Sequence, residues 1–239
     1  MKVIFGSLGF LLGFSLQLSP IPSIIHCIQT KTLNSLTLSY FITAIIGNIL
    51  WFRFGTYHQD IFITYGNIIG CCLFVTYMNI YIIMLYSNKA TVSIVVNCSL
   101  LLLFSFVYNY LNKNICLYSA TIINCVWQGT TIPTIKQALL NKNASYVNIH
   151  LSYVSLCNFS VWFIYGIFIH AYVMSLQNFI CGWFCFMNVV IYYNCISVIS
   201  DDNWGICCFR KMLITNDDDT TNNTDEHVKL TYDKYEKYI

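Results

Sequence analysis

Long apolar runs separated by short polar breaks fill the first 200 residues of the chain. A helix needs about 20 apolar residues to cross the hydrocarbon core of a bilayer. Runs of about this length lie at residues 3–28, 36–54, 61–86, 91–111, 115–139, 146–168 and 172–199. The breaks between them are only a few residues long, so consecutive helices must be antiparallel neighbours. The pattern predicts an all-α integral membrane protein with seven transmembrane helices.

The sequence also matches itself at a fixed shift of 111 residues. Trp-Phe-Arg-Phe-Gly at 51–55 overlays Trp-Phe-Ile-Tyr-Gly at 162–166, and Asn67 overlays Asn178. The same shift pairs Pro22 with Pro133, Lys31 with Lys142, Ile80 with Ile191 and Tyr81 with Tyr192. Rare residues that match at one shift indicate an internal duplication, which is how many transporters are built.

The duplication pairs the first three runs with the last three and leaves the fourth unpaired. Because four crossings separate the starts of the two units, both units point the same way across the membrane. We therefore expect two parallel three-helix bundles joined by a linker helix, a 3+1+3 arrangement. The predicted boundaries are residues 1–88 for the first repeat, 89–113 for the linker helix, 114–200 for the second repeat and 201–239 for a disordered cytosolic tail. The repeat also disfavours a cleaved signal peptide in the first run.

Composition supports a membrane protein, since 57% of the residues are hydrophobic and only 9% are charged. Asp60 is the only acidic residue among the first 200, where seven residues are basic. Without a clustered basic face, the chain shows no sign of nucleic-acid binding. The apolar runs hold no paired carboxylates, nucleophile elbow or metal-ligand spacing, so we expect neither an enzyme nor a metal or other cofactor. Most of the 12 cysteines lie in apolar runs, where packing is their expected role.

Basic residues are spread over both predicted faces of the membrane. One face carries Lys31, Lys89, Lys136, Lys142 and the tail residues Arg210 and Lys211, and Lys2, Arg53 and Lys113 lie toward the other. The positive-inside rule then places the N-terminus outside or in a lumen and the C-terminus in the cytosol. The tail carries nine acidic residues and is too polar to bury an apolar core, so we expect it to be disordered. Its Cys207 and Cys208 are candidates for palmitoylation, with unmodified thiols as the alternative.

Several groups of residues recur in both units. They are Leu-Ser-Pro-Ile-Pro at 18–22, Trp51 with Gly55 and Asn67 with Gly70, and then Pro133, Lys142, Trp162, Gly166 and Asn178. Over about residues 5–86 and 119–199, this set resembles the SWEET family of sugar transporters. The resemblance implies facilitative, bidirectional transport of a mono- or disaccharide by alternating access, in the plasma membrane or an endomembrane. It also suggests a homo-oligomer in the lipid bilayer.

The resemblance implies a central pocket in which Asn67 and Asn178 bind sugar hydroxyls while Trp51 and Trp162 face the sugar with their rings. The chemistry agrees, because a sugar offers hydroxyl groups on its edge and C–H groups on its faces. An asparagine in mid-span is costly unless it is paired or faces a wet cavity. The alternative is that both asparagines bond across helices and hold them together.

Gly47 and Asn158 stand one helical turn before the two tryptophans and share their helix faces. We expect both to line the pocket, which would then be asymmetric. The alternative for Gly47 is that it simply allows close helix packing.

The family usually carries a proline in each of spans one, two, five and six, and these prolines kink the helices at the cytosolic gate. This chain has only three prolines. We assign the gate or hinge to Pro20, Pro22, Pro133 and Tyr40, the last of which stands where the second-span proline is expected. The other departures are Thr131 opposite Pro20, Asn148 at the sixth-span position and Phe179 in place of a glycine.

No Asp or Glu lies inside any of the seven runs. Proton-coupled carriers need a titrating group in the membrane. We therefore expect the substrate to move down its own gradient as the two units rock about a midplane site.

Two other functions share parts of this pattern. PQ-loop carriers, which export amino acids from endomembrane compartments, have the duplicated plan but usually carry a Pro-Gln pair and an acidic residue. Here the corresponding stretches read Ser-Pro-Ile-Pro and Thr-Thr-Ile-Pro. A seven-helix receptor without transport is the second alternative, although a receptor has no need of symmetry-related Trp and Asn residues.

Overall fold

The computed structural model describes residues 1–30, 37–85, 88–129 and 131–200. The helices in these ranges are α1 (Lys2–Leu18), α2 (Ile21–Thr30), α3 (Leu38–His58), α4 (Ile61–Leu85), α5 (Lys89–Tyr110), α6 (Lys113–Gly129), α7 (Ile132–Leu140), α8 (Ile149–Phe168) and α9 (Tyr172–Ser200). A 3-10 turn at Ala144–Tyr146 follows α7. The predicted all-α class is confirmed. Lys31 and the predicted tail, with Cys207 and Cys208, lie outside the described residues.

Residues Met1–Ile196 form one compact unit, and the second unit, Ser197–Ile239, lies almost wholly outside the described residues. In the described ranges, six helical stretches are long and apolar enough to cross a membrane. They are Lys2–His26, Leu38–His58, Ile61–Met84, Lys89–Tyr110, Ile149–Phe168 and Tyr172–Cys195.

The fifth predicted span, residues 115–139, differs from a single long helix. It is divided between α6, with 17 residues, and α7, with nine. Pro133 stands in the first two positions of α7, where its missing N–H group costs nothing and its fixed φ favours a new helix start. The seventh crossing, and with it the full 3+1+3 layout, stays a prediction.

The shift of 111 residues found in the sequence also relates the helices. The starts of α1, α2, α3 and α4 lie 111 residues before the starts of α6, α7, α8 and α9, respectively. We call α1–α4 the first half and α6–α9 the second half. Gln59, after α3, and His170, after α8, both have left-handed backbones, with φ of 51° and 57°. Helices in the two halves therefore begin and turn at equivalent positions.

Side-chain caps start the equivalent helices α3 and α8. Thr37 accepts a hydrogen bond from the Tyr40 N–H, and Asn148 accepts one from the Leu151 N–H. Since 37 and 148 differ by the repeat shift, Asn148 is the counterpart of Thr37 and not of Tyr40.

Packing between the halves involves equivalent helix pairs. Helix α1 packs against α8 and α3 packs against α6, while α4 packs against both α1 and α3. Helix α5 packs against α4 and α3 of the first half. Polar side chains join α5 to α4, since the Ser93 hydroxyl and the Asn97 amide both donate to Asn79 Oδ1, at 2.6 and 2.8 Å.

The two ends of the bundle carry different features. One end, which we call the Asp60 end, carries Lys2, Asp60 and His170. The other, which we call the proline end, carries the short helices α2 and α7. Between the ends, the side chains of Phe41, Ile45, Phe54, Met78, Ile82 and Tyr165 form the most deeply buried part of the core.

Candidate functional site

A cavity of about 170 Å³ lies between the two halves. Its lining comes from α1, α3 and α4 on one side and from α6, α8 and α9 on the other. The lining residues are Gly9, Phe10, Gly13, Phe14, Gln17, Trp51, Phe62, Ile63, Gly66, Asn67, Asn124, Asn158, Phe159, Trp162, Met174, Gln177 and Asn178. Five of the six residues expected to bind substrate are among them, namely Trp51, Asn67, Asn158, Trp162 and Asn178.

Asn67 and Asn178 are held in the same way. The Asn67 amide donates to the Ile63 carbonyl oxygen, and the Asn178 amide donates to that of Met174, both at 2.7 Å. Each bond uses one N–H of the carboxamide, which also has a second N–H and a carbonyl oxygen. Both side chains therefore keep a donor and an acceptor for a bound molecule.

The two tryptophans are fixed by aromatic neighbours one turn further along their helices. The Trp51 ring meets Phe54 edge-on at a centroid distance of 5.5 Å, and the Trp162 ring meets Tyr165 edge-on at 5.3 Å. Phe54 and Tyr165 are themselves repeat counterparts. Packed rings of this kind offer a rigid apolar face to a ligand.

Close approach of α1 to Trp162 depends on glycine. A Cβ atom at Gly9 would lie 2.9 Å from Trp162 Cε2, which is too close for an unshifted ring. A Cβ atom at Gly13 would lie 3.6 Å from Asn158 Oδ1, an ordinary contact. Gly9 therefore sets the distance between α1 and the aromatic wall of the cavity.

Gly47 is not among the residues that line the cavity. It is buried in α3, and a Cβ atom there would lie 3.7 Å from Asn124 Oδ1 and from Ile123 Cγ2. Asn124 of α6 does line the cavity. Gly47 thus borders the side chain of a lining residue on the neighbouring helix.

Sequence reasoning missed three further carboxamides in the lining, those of Gln17, Asn124 and Gln177. The Gln17 amide donates to the Gly66 carbonyl oxygen at 3.2 Å. An available signal was that uncharged amides are costly in the middle of a transmembrane helix. With Asn67, Asn158 and Asn178, the cavity has six carboxamides, and none of the described residues that line it is charged.

Asp60 closes the bundle beyond the tryptophans, at the end named after it. Its Oδ1 accepts hydrogen bonds from the Phe62 and Ile63 N–H groups, both at 3.1 Å, and so caps the start of α4. The hydroxyl of Tyr165 on α8 donates to its Oδ2, and Lys2 Nζ lies 3.9 Å from the same oxygen. Asp60 is 4% exposed and Tyr165 is 0% exposed. This carboxylate therefore links the first half to the second in a buried layer.

The residues assigned to the gate lie toward the proline end. Pro20 is buried in the turn between α1 and α2, and Pro22 and Pro133 are the second residues of α2 and α7. The Tyr40 ring packs edge-on against Trp127 at 5.3 Å and against Phe74 at 6.2 Å. The prolines thus stand where the first and fifth predicted spans are broken.

Comparisons with known proteins agree with this fold. A family model described as "Sugar efflux transporter for intercellular exchange" matches residues 3–90. Bidirectional sugar transporter SWEET11 of Arabidopsis thaliana is 22% identical over 193 residues, which cover 73% of this chain and 64% of that protein. Bidirectional sugar transporter SWEET12 of Oryza sativa subsp. japonica is 22% identical over 200 residues, covering 78% and 66%. The match thus spans slightly less than two thirds of the length of these curated relatives.

The fold also has a solved counterpart. A eukaryotic SWEET transporter determined at 3.7 Å resolution superposes with a TM-score of 0.72 at 12% sequence identity, covering 82% of this chain and 97% of that one. The relatives are transporters and not enzymes. The family match, the relatives and the fold together show that the chain is similar to the SWEET family of sugar transporters and divergent in sequence from the relatives named here.

Proposed function

We propose that the chain carries a neutral sugar across a membrane by facilitated, bidirectional alternating access. One observation carries this proposal. The cavity combines six carboxamides with two tryptophans contributed by equivalent positions of the two halves, and no charged group among the described residues lines it. The relatives named above are bidirectional sugar transporters, which supports the same substrate class.

A sugar matches this lining group by group. Its hydroxyls both donate and accept hydrogen bonds, as do carboxamides. Its C–H faces pack on aromatic planes such as those of Trp51 and Trp162. An amino acid, the substrate of the PQ-loop alternative, carries a carboxylate and an ammonium group, and burying such charges without partners is very costly. The uncharged lining therefore favours the sugar.

The size of the cavity favours a small sugar. Sites for drug-sized ligands have volumes of about 300–1,000 Å³, whereas this cavity has about 170 Å³. We propose a monosaccharide such as glucose as the substrate, in preference to a disaccharide.

Asp60 is part of the closure and does not line the cavity. Its carboxylate already has a hydroxyl, two backbone N–H groups and a nearby ammonium group as partners. Opening the Asp60 end would separate Asp60 on the first half from Tyr165 on the second. We propose that this contact breaks and re-forms as the halves rock, without coupling to a proton gradient.

We also propose an orientation of the chain in the membrane. The proline end carries Lys89, Lys136 and Lys142, which supports its placement in the cytosol by the positive-inside rule. The N-terminus would then be outside or lumenal, with α6 and α7 together making the seventh crossing. We place the protein in the plasma membrane or an endomembrane, and the family resemblance supports a homo-oligomer.

The test is uptake of labelled glucose and labelled sucrose into proteoliposomes. We expect glucose to equilibrate, with no accumulation when a pH gradient is imposed. The double variant Asn67→Ala with Asn178→Ala should abolish this flux. Its size-exclusion profile should match that of the unaltered chain, which shows that the variant is folded. Accumulation above equilibrium under a pH gradient would contradict the uniport, and no sugar flux in folded, unaltered protein would contradict the substrate class.

A further inference from the structure

Gln177 is the most deeply buried polar side chain that lines the cavity. It is 1% exposed, stands next to Asn178 on α9, and donates through Nε2 to Cys181 Sγ at 3.4 Å. Its carbonyl oxygen, Oε1, has no hydrogen-bond partner among the described residues. A buried carbonyl oxygen without a partner is unfavourable, so a ligand that supplies a donor there gains free energy.

A second orphaned oxygen belongs to another residue that lines the same cavity. Asn158 Oδ1 is also buried without a partner in the described part of the chain. Asn158 and Gln177 belong to α8 and α9, so both orphaned oxygens come from the second half. Their counterparts in the first half are Gly47 and Gly66, which have no side chain to offer. Among the described residues that line the cavity, the two fully buried acceptors without a partner therefore both belong to the second half.

Both orphaned atoms are acceptors, which fixes the complementary chemistry. The ligand must present hydrogen-bond donors toward the second half, and on a neutral sugar those donors are hydroxyl groups. A fluorine in place of a hydroxyl cannot donate a hydrogen bond. Such a replacement should therefore lose this contact.

We propose that Gln177 is a specificity-determining residue whose Oε1 accepts a hydrogen bond from one particular hydroxyl of the sugar. With Asn158, it turns the hydroxyl-bearing edge of the sugar toward the second half. This inference rests on the proposed function and deepens it, since it names the residue that would distinguish one hydroxyl of the substrate from the others.

The test combines one variant with a series of substrates. The KM for exchange of glucose and of its 2-, 3-, 4- and 6-fluoro analogues is measured in proteoliposomes. Gln177→Met keeps the length of the side chain and removes the acceptor. Gln128→Met is the matched control, because Gln128 also donates to a thiol, Cys185 Sγ at 3.3 Å, and does not line the cavity.

In the unaltered chain, we expect one fluoro analogue to have a KM raised roughly 3- to 10-fold, the range of one net hydrogen bond. In Gln177→Met, the KM for glucose should rise by a similar factor. The KM for that fluoro analogue should then equal the KM for glucose. Gln128→Met should keep the pattern of the unaltered chain. If Gln177→Met fails to fold, Gln177→Asn, which withdraws the acceptor by one methylene, should weaken the same analogue's discrimination.

The failures are distinguishable. If glucose is exchanged but every analogue keeps its KM ratio in the Gln177 variants, the role of Gln177 is wrong and the transport proposal stands. If the folded, unaltered chain exchanges no glucose, the proposed function is wrong and this inference falls with it.

Discussion

The helices of the two halves begin at equivalent positions, but the two halves line the cavity with different side chains. Both contribute one asparagine and one tryptophan, held by equivalent contacts. At three other pairs of equivalent positions, the first half has glycine and the second has a carboxamide. These pairs are Gly13 with Asn124, Gly47 with Asn158, and Gly66 with Gln177. At these three pairs, the first half therefore leaves space and the second offers hydrogen-bonding groups.

The two halves also differ at the Asp60 end, where each supplies one polar group that its counterpart lacks. The first half has the carboxylate of Asp60, whereas its counterpart in the second half is Ala171. The second half has the hydroxyl of Tyr165, whereas the first has Phe54. This end therefore has one carboxylate–hydroxyl link between the halves, whereas full symmetry would give two. The comparison teaches that the two halves share their backbone positions and the central Asn and Trp pairs, while the chemistry of the remaining positions differs between them.

Giving both halves the same side chain at the position of Gln177 should have the largest effect, a loss of glucose exchange. Gly66→Gln would copy Gln177 onto the first half, and its Cβ atom would meet only the Phe10 ring, at 3.5 Å from Cδ2 and 3.9 Å from Cε2. The longer side chain would then fill part of the 170 Å³ cavity. We expect glucose exchange to fall by at least roughly tenfold, because the added side chain would take up space that the substrate needs.

Gly66→Ala is the control for that variant, because it adds only the Cβ atom. It should keep most of the exchange rate. Equal exchange by Gly66→Gln and the unaltered chain would mean that the space left by this glycine is not used by substrate.

Making the Asp60 end alike should have the next largest effect. Asp60→Ala reproduces Ala171 in the first half, removes the cap of α4 and leaves the buried Tyr165 hydroxyl without its acceptor. Loss of a cap costs about 0.5–2 kcal/mol and an unsatisfied buried group about 1–3 kcal/mol. We therefore expect a clear fall in thermal stability, measured in detergent.

Lys2→Met tests whether the ion pair matters in that contact. The Lys2 side chain is 56% exposed and 3.9 Å from the carboxylate, so its loss should cost about 1 kcal/mol or less. A larger loss from Lys2→Met than from Asp60→Ala would show that the link to Tyr165 is not what holds this end.

Crowding the approach of α1 should have the smallest effect of the three. Gly9→Ala would place Cβ at 2.9 Å from Trp162 Cε2 and force the ring or the helix to shift. Overpacking of this kind costs about 1–3 kcal/mol, and we expect a higher KM for glucose because the aromatic wall moves. Gly13→Ala is the matched control with an ordinary contact of 3.6 Å, and it should leave the KM nearly unchanged. The same KM for both variants would contradict the role given to Gly9.

The sequence allowed much of this to be predicted. Apolar length located the helices, and rare residues at one shift located Asn67, Asn178, Trp51 and Trp162, all of which line one cavity. Local spacing could not decide Gly47, because a helix face does not reveal which neighbour covers it. The neighbour is α6, whose Asn124 lines the cavity there.

Two other features depend on contacts far apart in the chain. From the sequence alone, Asp60 is expected to be an exposed loop residue. It is buried beside Tyr165 because α1 and α8 pack around the start of α4. The fifth predicted span was apolar enough overall, but Pro133 starts a separate helix within it. Hydropathy over a window averages across such breaks, so a backbone interruption is hidden in a continuous apolar run.

The central claim is that both halves form one sugar site, in which Gln177 of the second half supplies the acceptor that selects one particular hydroxyl. The most direct measurement is a structure of the full chain determined with glucose. We predict glucose in the cavity between Trp51 and Trp162, with hydroxyls within hydrogen-bond distance of Asn67, Asn178 and Gln177 Oε1. Glucose bound elsewhere, or in this cavity with its hydroxyl edge turned toward Gly47 and Gly66, would contradict the claim.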